Sequence, residues 1–178
     1  MKTLLSIIAI ATTAFLLSST ASAQVLDVVT CTGSSTVTYD PAVTNTSELH
    51  TVEFTVEATS CPGYEGKVPG NYTFTAQAEF SCTDLYAIPQ HTNTFNWADG
   101  SYTDVQWNLT TVTRVNGNVN ITSAGTVTGG FGLSSLPGVL DTTAVSTVLH
   151  PELNLTACAG SGVSQSSGTS LLTLTGTF

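Results

Sequence analysis

The side chains that could do chemistry are few and scattered. His50, His91 and His150 stand far apart, and none falls in the H-x-H or H-E-x-x-H patterns that place two imidazoles on one metal. Each reads as a solvated or locally hydrogen-bonded ring. Gly132-Leu133-Ser134-Ser135-Leu136 lacks the closing glycine of a nucleophile elbow. Lys67 sits in a turn-rich loop beside Glu65 and reads as a surface lysine. Twelve Asp and Glu could hide a glycosidase-type carboxylate pair, but no spacing marks one, and Glu53, Glu57 and Glu79 fall on wet strand faces. Asp84, Asp99 and Asp104 are the best candidate for an acid or calcium cluster, without D-x-D or EF-hand spacing to support it. No catalytic residue, metal ligand or cofactor motif is assigned.

Aromatic side chains offer more. Tyr86, Phe95, Trp97, Tyr102 and Trp107 lie within one short stretch. Trp107 has core phase between Val105 and Leu109. Trp97 and Tyr102 flank a turn at Ala98-Asp99-Gly100 and form the candidate ligand-binding pair, since exposed rings on a β-surface can hold sugars.

The cysteines and the N-terminus speak to location. Met1-Lys2, an apolar run from Leu4 to Leu17 and the small residues Ala21-Ser22-Ala23 have the order of a secretory signal peptide. Residues 1–23 are therefore expected to be removed, leaving residues 24–178 as a single β-domain outside the cell. Cys31, Cys61, Cys82 and Cys158 make an even set with no C-x-x-C, which in an oxidising compartment suggests two disulfides. Five N-x-S/T sequons, at Asn45, Asn71, Asn108, Asn120 and Asn154, are candidate glycosylation sites.

Charge and hydropathy each remove one partner class. The chain carries three Lys and Arg against twelve Asp and Glu, a net charge of −9, and only Lys67 and Arg114 remain after residue 23. Phosphate recognition needs a basic patch, so no nucleic-acid partner is expected. No apolar run after the N-terminus reaches the length of a membrane-spanning helix.

The elements that must position these residues are strands. The mature chain holds 29 Thr and is rich in Val, both β-branched. Period-two alternation recurs. Tyr72, Phe74, Ala76, Ala78 and Phe80 share one face against Asn71, Thr73, Thr75, Gln77 and Glu79. Val52, Phe54, Val56 and Ala58 alternate with Glu53, Thr55 and Glu57. Val105, Trp107, Leu109 and Val115 alternate with Asp104, Gln106, Asn108 and Arg114. In this phase Asn71, Asn108, Asn120 and Asn154 fall on polar faces. Breaks come at Asp40-Pro41, Pro62-Gly63, Pro69-Gly70, Ala98-Asp99-Gly100, Asn116-Gly117, Gly129 to Gly138, and the Gly- and Ser-rich 159–170. Asn116-Gly117 between alternating runs is the strongest hairpin signal. The expectation is an all-β, antiparallel sandwich or barrel of about eight to ten strands, near 32–39, 50–60, 71–82, 94–98, 102–115, 118–128, 140–149, 153–158 and 170–178.

That topology bears on the cysteines. If 32–39 and 50–60 form a hairpin, the start of the first lies beside the end of the second. Cys31 then meets Cys61, leaving Cys82 for Cys158.

Several short motifs recur in order along the chain: Val37-Thr38-Tyr39-Asp40-Pro41 after the first cysteine, Ser60-Cys61, Ser81-Cys82, Trp97-Ala98-Asp99-Gly100, Gly125-Thr126-Val127-Thr128-Gly129-Gly130-Phe131, and Leu155-Thr156-Ala157-Cys158 before Gly162-Val163. In this the run from Cys31 to Phe178 resembles an uncharacterised family of small secreted β-proteins common in actinobacteria. That family tends to have Trp-Asn-Asn-Gly at the turn. The resemblance implies a secreted β-fold and brings no activity with it. The five sequons and the insert from Tyr86 to Phe95 depart from the family and would suit a fungal relative.

Three functions compete on these residues. The first is a non-enzymatic secreted protein acting by extracellular recognition, as an effector or virulence-associated protein directed at a host or competitor. The second is a carbohydrate-binding or cell-wall module using Trp97 and Tyr102. The third is a small hydrolase or an enzyme inhibitor. The expected partner is an extracellular protein or polysaccharide.

Overall fold

The computed structural model describes residues 26–84, 88–130 and 142–177. The expected signal peptide, Tyr86 and Ser134 lie outside them. Eight antiparallel strands close into a barrel in sequence order: β1 (Leu26–Val43), β2 (Glu48–Ser60), β3 (Gly70–Phe80), β4 (His91–Asn96), β5 (Tyr102–Val115), β6 (Asn118–Gly130), β7 (Thr142–Pro151) and β8 (Val163–Thr177). Closure follows from β1 pairing with β8, from Leu26 against Thr177 up to Val43 against Val163. Every strand thereby finds a neighbour on each side, although β3 and β4 share only one pair, Asn71 with Asn96.

The barrel has two ends. The upper end carries the β1–β2 and β5–β6 turns, and the lower end carries the β4–β5 hairpin. Alternating side chains of β2 and β3 enter the interior as their pattern predicts: Val52, Phe54, Val56, Ala58, Tyr72 and Phe80 are buried. The Asn116-Gly117 turn has positive φ at both residues, 51° and 75°, as a two-residue hairpin requires. Cys31 bonds Cys61 and Cys82 bonds Cys158, the pairing that the hairpin argument predicts. The first staples the lower end of β1 to β2. The second ties the residues after β3 to a one-turn helix, α1 (Leu155–Cys158), at the upper end.

Three expectations are corrected. The segment 153–158 is not a strand. Asn154 caps α1, its side-chain oxygen accepting from the Thr156 and Ala157 amides at 2.9 and 3.2 Å, so local capping wins over the alternation of Leu153 and Leu155. β8 begins at Val163, well before the expected 170. Gly168 lies so close to β7 that an added Cβ would stand 2.1 Å from the Leu149 carbonyl oxygen, so the glycine there serves strand contact rather than a loop. Finally, Leu109 and Val115 are 64% and 54% exposed rather than buried. The β5–β6 register shifts between Trp107 and Leu109, leaving Asn108 as an extra residue. A one-residue bulge inverts the phase beyond it, which turns Val112 and Arg114 toward the interior instead.

Candidate ligand pocket

The wall is not uniformly paired. β3 meets β4 at Asn71 and Asn96, while β4 begins at His91, opposite Trp107 of β5. Above that level the upper halves of β3 and β5 part. A cavity of about 90 Å³ fills the upper barrel behind this seam. Val52, Phe74, Ala76, Val112 and Ile121 give it apolar walls. The bulge at Asn108 matters here, because without it Val112 and Arg114 would face solvent.

The seam is clasped by one side chain. The Arg114 guanidinium donates to the backbone carbonyls of Thr83 at 2.9 Å, Asp84 at 2.9 Å and Cys82 at 3.3 Å. Asp84 accepts from the Ser81 amide and hydroxyl, both at 2.8 Å. Those Ser81 bonds, with the Arg114 charge as a smaller contribution, hold its carboxyl below the usual carboxylate range. Both charged residues stand at the mouth.

The other polar groups of the cavity are neutral. His150 is 4% exposed, with Nε2 2.8 Å from Ser35 Oγ and Nδ1 3.1 Å from Ser166 Oγ. Burial pushes its pKa down to about 4, so the ring is uncharged at neutral pH. Tyr39 lines the same space, and burial pushes its phenol up to about 12. Below lies a recess of about 10 Å³ that shares Phe54, Phe74, Ile88 and Ile121 with the main cavity and is lined by Trp107, Ser123 and Ser146.

The contact of Ser35 with His150 has the look of a nucleophile and a base. It does not work as one. Ser35 is 2% exposed and does not line the cavity, the third position is the Ser166 hydroxyl rather than a carboxylate, and a ring with pKa near 4 is a weak base.

The sequence-derived candidates fall elsewhere. Trp97 is not at the surface. It is 4% exposed, stacks on Phe95 at 5.5 Å, and donates from Nε1 to Thr103 Oγ1 at 2.8 Å. Its ring lies where a Cβ on Gly70 would stand, 2.1 Å from Cε3, so it fills the lower end of the barrel. The signal was present: Asn93, Phe95 and Trp97 continue one period-two face of β4, and the turn begins only after it. Tyr102 is 49% exposed, alone of the pair. The three aspartates are separated. Asp99 accepts from Lys67 Nζ at 2.6 Å at the lower end, and this bond, then the Ser101 hydroxyl, holds its pKa near 2. Asp104 accepts from Thr94 Oγ1 at 2.6 Å, and Asp84 lies at the upper end. Among the described residues no three His, Cys or carboxylate side chains converge. Lys67 is thus a paired lysine holding the 61–70 loop to the β4–β5 hairpin.

His50 is fully buried, its ring nitrogens 2.8 Å from the Pro41 carbonyl and 3.2 Å from that of Phe80. His91 stacks on Phe74 at 4.0 Å. Of the sequon asparagines, Asn45, Asn71, Asn108 and Asn154 are exposed and Asn120 is half-buried. Two disulfides are compatible with an oxidising, extracellular compartment. No helix among the described residues is long and apolar enough to cross a membrane.

No family model, curated protein or solved structure matches this chain.

Proposed function

We propose that the protein is a secreted, non-enzymatic binding protein that takes a small apolar molecule into the upper barrel. The observation that carries this reading is the apolar cavity behind the β3–β5 seam. Its size, about 90 Å³, is several times the roughly 10–15 Å³ that places one water and over half the roughly 150 Å³ of a cavity that takes up benzene, and its open mouth leaves room for the rest of a small ring. Eight-stranded barrels are wide enough to hold one small ligand, and a concave apolar site with a few polar groups is the usual form of such a site. The N-terminal sequence and the disulfides support action outside the cell. An effector directed at a host or competitor would then act by capturing or delivering a small molecule. The burial of Trp97 weighs against a polysaccharide platform on the lower hairpin.

A thermal shift tests this. The mature chain, Gln24–Phe178, is melted with and without methylenecyclohexane. Ligand at a hundred times Kd stabilises by about 2.7 kcal/mol, which raises Tm by roughly 5–10 °C in a domain of this size. Ala76→Phe, which fills the cavity from β3, should abolish the shift. An unchanged Tm with this and other single-ring hydrocarbons would refute the reading.

A further inference from the structure

The recess below the cavity holds a donor without a partner. Trp107 is 1% exposed, and its Nε1 is a buried nitrogen with no hydrogen bond. An indole nitrogen can only donate, and leaving a buried donor unmet is a standing cost. Trp97, the other tryptophan, has met its need through Thr103. The Trp107 ring rests on β6, where a Cβ on Gly125 would come within 3.0 Å of its Cε3 edge. Nε1 lies on the opposite edge of the indole from Cε3. The recess that Trp107 lines has room for about one oxygen-sized atom, and it shares four side chains with the apolar cavity above.

We propose that the ligand is uncharged and carries a hydrogen-bond acceptor, a ketone, ester or ether oxygen, which Trp107 Nε1 receives in this recess; the proposal rests on the reading of the barrel as a small-molecule site. The apolar body lies above, between Phe74 and Ile121. The polar side chains that line the recess are the Ser123 and Ser146 hydroxyls, the Tyr72 phenol, the His91 ring and the Trp107 indole, with no carboxylate, lysine or arginine among them to pair a charge. A charged head would instead be drawn to the mouth, where Arg114 and Asp84 stand.

The test uses two probes of one shape. Cyclohexanone and methylenecyclohexane differ by an oxygen in place of a CH₂. Each is titrated into the ¹⁵N-labelled mature chain, following the two indole N–H resonances. Both probes should bind saturably, the ketone about tenfold more tightly. The Trp107 indole resonance should move downfield with the ketone alone, and that of Trp97 should stay. In Trp107→Phe the preference should fall to within about twofold. Should that variant not fold, the wild-type indole resonance decides. Equal affinity without an indole shift would overturn the acceptor while leaving the cavity reading intact. An indole resonance already shifted in the free protein and unmoved by ketone would place a water in the recess and overturn it also. Failure of both probes to bind would refute the cavity reading itself.

Discussion

Arg114 donates to the backbone carbonyl of Asp84 at 2.9 Å across a stretch of wall where strand pairing stops. With the Thr83 and Cys82 carbonyls, this makes three hydrogen bonds from one guanidinium. Each replaces, in a small way, the ladder that β3 and β5 do not share. Arg114→Ala should lower stability by about 1–3 kcal/mol, since bonds from charged donors are the stronger kind and these are partly solvated. Arg114→Lys keeps the charge and loses the fork, so it should recover only part of the loss. Urea unfolding of the three proteins checks the order.

The two disulfides should differ in worth. They close 30 and 76 residues of chain. By loop entropy these correspond to about 3.6 and about 4.5 kcal/mol. Replacing Cys82 and Cys158 by Ala should therefore cost more than replacing Cys31 and Cys61. The upper pair also ties α1 to the seam, so its loss should loosen the cavity mouth, seen as faster amide exchange in 81–84.

His150 sets a pH dependence. Its folded pKa, near 4, lies below the unfolded value of about 6.5. Between these values the unfolded chain binds more protons, so stability is fully present above pH 6.5 and is lost as pH falls toward 4. The loss should be on the order of 2 kcal/mol, and His150→Gln should flatten that part of the curve. Protonation would also charge the cavity wall, so probe affinity should fall in the same window. A wild-type curve that matches His150→Gln between pH 6.5 and 4 would contradict this.

The lower hairpin separates packing from binding. Trp97→Ala removes a ring that fills the barrel end and should cost about 3–5 kcal/mol. Tyr102→Ala touches a half-exposed ring and should stay within about 0.5 kcal/mol. Neither change should alter retention on chitin, β-glucan, cellulose or peptidoglycan, measured by pull-down.

The sequence reached the barrel through period two and turn chemistry, and it reached the disulfides through the hairpin that both imply. It did not reach the cavity. The residues that build it, Val112 and Arg114, carry the wrong parity for an unbroken β5. Only the bulge at Asn108 turns them inward, and a bulge opposite Gly125 and Ala124 leaves no period of its own in the sequence. Trp97 shows the reverse failure. Its place beside a turn suggested exposure, but the alternation of Asn93 and Phe95 carried one step further, and Gly70 left the space for its ring. His150 and Ser35 are 115 residues apart and meet through barrel closure, which no local pattern encodes.

Methyl-resolved NMR of the mature chain, titrated with methylenecyclohexane, tests the barrel-interior site most directly. The expected result is saturable shifts at Val37, Val52, Val112, Val119 and Ile121, which line the cavity, with Leu109, Leu149 and Leu171 on the outer wall unmoved. Absence of saturable shifts, or shifts confined to Leu149 and Leu171, would contradict it.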